Sequence, residues 1–249
     1  MIINLAGGTG IMGNTHRPIF ESAGHEVIVS GRTTSPGLEV AAQIADITIV
    51  SVPISATEEI IKRVAPYSEA IMDFTGVKVF PVNCMLQYSS PSCEVMGMHP
   101  LYKDFFKGAT IVSCPTKRTG ERCRLIVSDL SKAGAQIREM TPGEHDEYMD
   151  ITQNQRVVKL MQYAQEIINK GIIVEDAYAL SPKPSRILLD LIARQIDEKN
   201  EELYREMSEY NFFTKSKLKT AISPKIVRDW FGDELKPAQE RAKRLVDLV

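Results

Sequence analysis

The feature that most constrains this chain is a change of pattern part-way along it. Up to about residue 140, short runs rich in β-branched residues alternate with helical stretches; beyond Thr141-Pro142-Gly143 the strand signal all but disappears. The runs cover residues 2–6, 26–30, 47–52, 70–74, 94–98, 109–114 and 135–140, with helical period between them at 38–45, 57–64 and 120–133. Several runs are continuously apolar, as strands covered on both faces must be. Such alternation predicts a doubly wound, parallel α/β sheet. After Glu147, Val157, Leu160, Met161, Ala164, Ile167 and Ile168 recur at helical spacing. Pro184 opens a further helical stretch over 185–196, where its missing N–H costs nothing, and others follow at 201–210 and 237–248. The expected organisation is an α/β, Rossmann-type domain over residues 1–142 and an all-α domain over 143–249.

The 249 residues are 43% hydrophobic, enough for a packed core without disulfide or metal staples. Residues 1–150 carry 13 basic and 17 acidic side chains and residues 151–249 carry 17 and 15. Neither part has the positive excess of a nucleic-acid surface. The apolar runs are far shorter than a membrane span and no basic leader precedes the first, so a cytoplasmic protein with no nucleic-acid or membrane partner is expected. Cys84, Cys93, Cys114 and Cys123 form no C-x-x-C pair and the four histidines no H-x-x-x-H pair. Buried, reduced thiols are therefore expected and a bound metal is not.

Gly8-x-Gly10-x-x-Gly13 follows the first strand and precedes a helical stretch. In a dinucleotide site the first glycine permits the turn and the second admits the pyrophosphate. The third lets helix and strand close up, while the helix N-terminus offers N–H groups to the phosphates. The residues expected to hold the cofactor are Gly8, Thr9, Gly10, Ile11, Met12 and Gly13, then Ser30, Arg32 and Thr33 after the second strand. Ser51, Val52, Pro53 and Thr57 complete the set after the third. An NAD site usually carries an acid at the end of the second strand; this chain reads Ser30-Gly31-Arg32-Thr33-Thr34. A guanidinium flanked by hydroxyls suits a 2′-phosphate, which favours NADP and leaves NAD open.

His99 closes the fifth strand, whose carboxyl end faces the ligand crevice in such folds. His145 lies in Glu144-His145-Asp146, where the helical region opens. Position alone leaves both compatible with an ordinary structural histidine. Arg186, at a helix start after Ser181-Pro182-Lys183-Pro184, could receive a carboxylate or simply face solvent.

Taken in order, these motifs resemble the prephenate dehydrogenase family, oxidoreductases of tyrosine biosynthesis. The resemblance runs through Gly8–Gly13, Ile49-Val50-Ser51-Val52-Pro53-Ile54, Asp73-Phe74-Thr75-Gly76-Val77-Lys78, His99-Pro100-Leu101-Tyr102, Glu144-His145-Asp146 and Leu180 to Arg186. It covers most of the chain to about residue 210 and fades over the last 40 or so. It implies a nucleotide-binding domain followed by a helical domain that forms a homodimer, with prephenate or arogenate as substrate. His99 matches the family's histidine that accepts a hydrogen bond from the ring 4-hydroxyl, His145 a substrate-side histidine, and Arg186 a carboxylate-binding arginine. Gln153 and Arg156, in the helix following His145, are further substrate-side candidates. Two departures stand out. Gly76-Val77-Lys78 replaces the common Ser-Val-Lys, removing a hydroxyl for which Thr75, at the adjacent position, is the candidate replacement, and Lys103-Asp104 replaces the usual Gly-Pro. Two other readings stay open: a reductase such as the deazaflavin-dependent NADP reductases, which share the Gly-Gly-Thr-Gly start, and a non-catalytic NADP-sensing dimer.

Overall fold

The computed structural model describes residues 1–211, 213–214 and 223–246. The expected runs become β1 (Ile2–Ala6), β2 (Glu26–Ser30), β3 (Ile47–Val50), β4 (Ala70–Asp73), β5 (Glu94–Pro100), β6 (Thr110–Pro115) and β7 (Gln136–Glu139). They form one sheet in the order β2-β1-β3-β4-β5-β6-β7. Between them lie α1 (Ile11–Ser22), α2 (Leu38–Ile44), α3 (Ile54–Val64), α4 (Val79–Tyr88) and α5 (Glu121–Lys132). Side chains alternate across a strand, so Ile3, Leu5, Ile49 and Met72 join Phe20 and Ile126 in one buried layer. Ala6, Val50 and Ile71 join Leu38, Ile61 and Val64 in the other. The central strands are thus covered on both faces, which is why β1 and β3 read as nearly unbroken apolar runs. This is the Rossmann-type sheet that the alternation predicts.

One part of that expectation needs correcting. The first five strands are parallel, but β6 runs antiparallel to β5, with Gly97 opposite Cys114 and His99 opposite Val112. Residues 101–109 between them contain no helix, and a parallel crossover needs about a dozen residues or more. The chain can only fold straight back. Parallel pairing resumes at β7, once α5 supplies a crossover.

By packing, the chain divides into Met1–Tyr148 and Met149–Val249. The helix α6 (Pro142–Met149) therefore falls almost wholly in the first unit, and the division comes after it rather than before it at residue 142. Its burial of His145 and Asp146 against the Lys78 loop, described below, accounts for this. The second unit begins with a π-helical turn (Asp150–Asn154) and continues through α7 (Gln155–Asn169), α8 (Val174–Ala179), α9 (Lys183–Gln195), α10 (Glu198–Tyr210), α11 (Pro224–Phe231) and α12 (Leu235–Val246). Leu160, Met161 and Ala164 of α7 pack with Leu189, Ile192 and Ala193 of α9 and with Phe231 and Ala238. The buried Asp190 carboxylate ties three helices, accepting Tyr178 Oη at 2.8 Å and Arg241 Nε at 2.9 Å. Of the expected last helix, 247–248 lies outside the described residues. Among the described residues no helix is long and apolar enough to cross a membrane. All four cysteines are buried and unpaired, and burial pushes the Cys84 and Cys114 thiols up to about 11 and about 12.

Candidate active site

The turn after β1 is built by glycine, but its strained position is Gly7 rather than Gly8. Gly7 has φ +85°, and a Cβ there would lie 2.4 Å from the Ser51 carbonyl oxygen. Gly13 provides the close approach, since its Cβ would come within 2.3 Å of Gly8 Cα. Gly10 sits at the N-cap of α1, whose first turn carries no acidic side chain. Helix N-termini leave N–H groups without intrahelical acceptors. The first turn thus presents backbone donors and a positive dipole end with no carboxylate competing, which fits a pyrophosphate. Thr9 and Ile11 are exposed and Met12 is half-buried beside this turn.

The remaining cofactor candidates divide. Arg32 and Thr33 are exposed after β2, and no described residue pairs with the Arg32 guanidinium. Ser51, Val52 and Pro53 reach the surface at the end of β3, next to Gly7. Two side chains are otherwise engaged. Ser30 is fully buried and its hydroxyl donates to Asn4 Oδ1 at 2.7 Å. The hydroxyl of Thr57, also fully buried, donates to the Pro53 carbonyl at 3.1 Å in the first turn of α3. Both serve the fold, because alternation and helix periodicity turn them inward.

The carboxyl ends of β4 and β5 carry a connected buried polar group. His99 Nδ1 and His145 Nε2 are 2.9 Å apart, and His145 Nδ1 lies 2.8 Å from Asp146 Oδ1. The Asp146 carboxylate also accepts the backbone N–H of Lys78 at 2.7 Å and of Val79 at 2.9 Å. It thereby caps the start of α4 and holds α6 against it. Lys78 is fully buried; its ammonium pairs with Asp73 and donates to the Met98 carbonyl at 2.7 Å. Burial, the neighbouring His145 and the Lys78 charge hold the His99 imidazole well below its usual range. Burial lowers His145 too, although Asp146 pulls the other way. Both rings are neutral at pH 7, and no described residue bonds His99 Nε2.

Thr75 does not offer the hydroxyl missing at Gly76. It is buried, with Oγ1 2.5 Å from Asp73 Oδ2 and 2.8 Å from the Val77 carbonyl oxygen. Asp73, Lys78 and Asp146 are the site residues not anticipated from sequence. The Asp-x-x-x-x-Lys spacing and the acid beside His145 were visible there, but nothing marked a lysine as fully buried.

In the second unit, Arg186 is exposed at the start of α9, donating through Nε to the Ser181 carbonyl at 2.9 Å and through Nη2 to Ala179 at 3.4 Å. It closes the end of α8, and with five N–H donors in all it keeps some for a ligand. Arg156 donates to Tyr204 Oη at 3.2 Å and lies over that ring. Gln153, in the π-helical turn, has a buried Oε1 that no described residue bonds. A cleft of about 440 Å³ beside α5, lined by Arg124, Ser128, Lys132 and Glu139, contains none of these candidates.

Compared with known proteins, residues 8–139, just over half of the chain, match the prephenate dehydrogenase nucleotide-binding domain. The probable arogenate/prephenate dehydrogenase of Methanocaldococcus jannaschii is 25% identical across 85% of this chain and 52% of its own length. The chain thus spans about half the length of that relative. The T-protein of Haemophilus influenzae is 26% identical across 98% of this chain and 71% of its own. Among solved structures, Synechocystis arogenate dehydrogenase superposes with a TM-score of 0.66 at 22% identity, covering 100% of this chain and 97% of that one. The Aquifex aeolicus prephenate dehydrogenase bound to hydroxyphenyl propionate and NAD+ gives 0.55 at 16% identity, covering 99% and 87%. At these identities the structural likeness establishes the fold.

Proposed function

The chain belongs to the prephenate dehydrogenase family, and from that premise we propose that it catalyses the nicotinamide-dependent oxidative decarboxylation of prephenate, or of the related arogenate, in tyrosine biosynthesis. One observation carries the reading: at the carboxyl end of β5, in a nucleotide-binding domain, a buried neutral imidazole has an Nε2, that of His99, which no described residue bonds. The bound nicotinamide supplies the hydride acceptor. As the ring 4-hydroxyl becomes a carbonyl it must lose a proton, and a neutral imidazole can take it. Loss of carbon dioxide then aromatises the ring, so the protein's task is to orient ring, hydroxyl and cofactor.

The cofactor sits on Gly8, Gly10 and Gly13 with the first turn of α1 at its pyrophosphate, and Ser51, Val52 and Pro53 alongside. NADP is preferred to NAD, because the exposed Arg32 and Thr33 stand where an NAD-selective acid would otherwise be. Arg186 is the substrate carboxylate ligand, with Gln153 and Arg156 beside it in role. The helical unit forms a homodimer, supported by the apolar side chains it leaves outside, notably Leu180 at 84% exposure together with Ile187 and Leu188. A sedimentation mass of two chains is expected; a monomer mass unchanged with concentration would refute the dimer.

Turnover of prephenate and of arogenate, each with NADP and with NAD, tests the reading. Reduction of NADP with one of the two substrates is expected, faster than that of NAD. Cofactor binding without turnover of either substrate would mark a nucleotide sensor instead.

A further inference from the structure

We infer that Asp146 is a positioning residue that acts through His145 to hold His99 in the tautomer able to accept a proton at Nε2. The inference rests on the functional reading above but is argued from hydrogen-bond directions between buried, neutral rings. An ionised carboxylate can only accept. Asp146 receives the backbone N–H of Lys78 and of Val79, and faces His145 Nδ1 at 2.8 Å. Nδ1 of His145 must therefore carry a hydrogen. In a neutral ring the other nitrogen is then a bare acceptor, and His145 Nε2 lies 2.9 Å from His99 Nδ1. That contact is a hydrogen bond only if His99 donates from Nδ1. A neutral His99 with hydrogen on Nδ1 is bare at Nε2, the nitrogen that no described residue bonds. Each ring's tautomer follows from its neighbour's, and the sequence starts at Asp146.

Among the described residues the neighbourhood leaves this job to no other group. Position 76 is glycine, and the Thr75 hydroxyl is spent on Asp73 and Val77. The Lys78 ammonium, bound to Asp73 and the Met98 carbonyl, can only donate, so it cannot fix an imidazole that must itself donate from Nδ1. The two backbone bonds keep the Asp146 carboxylate from rotating away. When His99 takes a proton on Nε2, its Nδ1–H still points at an acceptor, and the imidazolium is held without any side chain turning.

The test is a ¹⁵N imidazole spectrum of the whole, unliganded protein near neutral pH, read with the rates of two variants. His99 should show a protonated Nδ1 and a bare Nε2, and so should His145. Asp146→Asn offers one oxygen to three donors and should mix the His99 tautomers, lowering kcat by about 10–100-fold, as loss of an outer-shell partner commonly does. KM should stay within about threefold, as for a loss confined to the transition state. Asp146→Glu should recover part of both. A protonated Nε2 on His99 in the parent overturns the inference, as does a folded Asp146→Asn protein that keeps the parent's tautomer and rate. If that variant does not fold, the parent spectrum decides alone. Because the spectrum needs no substrate, absence of dehydrogenase turnover would remove the functional reading without touching the tautomer result.

Discussion

At residue scale, the site is a set of side chains whose roles depend on what each has already bonded. Arg186 has spent Nε and Nη2 on the end of α8, so replacing it removes a local cap as well as the proposed carboxylate ligand. Arg186→Gln should raise KM for the substrate at least tenfold with kcat and cofactor affinity little changed, because a carboxylate is held throughout the reaction. The cap should cost about 1 kcal/mol, the usual net worth of such hydrogen bonds. Steady-state kinetics alongside urea unfolding would check both, and an unchanged KM would reduce Arg186 to its capping role. His99, His145 and Arg186 could be singled out in the sequence because they stand at recognisable places, and the structure joins the first two. The sequence hid the fully buried Lys78, since lysine is almost never buried unless paired and its partner Asp73 is legible only once β4 and the following turn exist. It also misdirected at Ser30, Thr57 and Thr75, whose hydroxyls suit a ligand by type but face inward.

At the scale of elements, what can be read from sequence is periodicity, and what cannot is the partner across a gap. The strands and the main helices stand within a few residues of their expected bounds, because apolar runs and helical stripes are local. The reversal at β6 depends on the nine residues 101–109 being too few for a crossover, a matter of length and not of composition. The same distinction governs the glycine loop. Its motif is visible, yet the left-handed residue is Gly7, one before the motif begins. Gly13→Ala would place a methyl group 2.3 Å from Gly8 Cα, prising α1 from β1. Cofactor affinity should fall more than tenfold while the helical unit keeps its structure, measurable by nicotinamide titration beside circular dichroism. Undiminished binding would show that the pyrophosphate does not sit at this turn.

For the whole molecule, three buried histidines make stability depend on acid. His16 is packed against Phe74 and Tyr102, bonded to the Met12 carbonyl and to Tyr102 Oη, and burial lowers it to about 4. His99 and His145 are lowered as well. Below the unfolded value of about 6.5 the unfolded chain binds protons that the folded one refuses, so stability is fully present above that pH and falls as pH drops. His16 alone contributes about 3 kcal/mol of this loss by pH 4, a large part of a typical 5–15 kcal/mol. Urea midpoints should therefore fall between about pH 7.5 and pH 5; an equal or higher midpoint at pH 5 would mean the rings are not buried neutral. The account as a whole turns on His99 accepting the hydroxyl proton. The most direct measurement is steady-state oxidation of prephenate and arogenate with NADP by the parent and by His99→Asn. The parent should turn over one of the two substrates, and the variant should bind with nearly the same KM while kcat falls by roughly 10²–10⁴-fold. A variant as fast as the parent, or a parent inert toward both substrates, would contradict it.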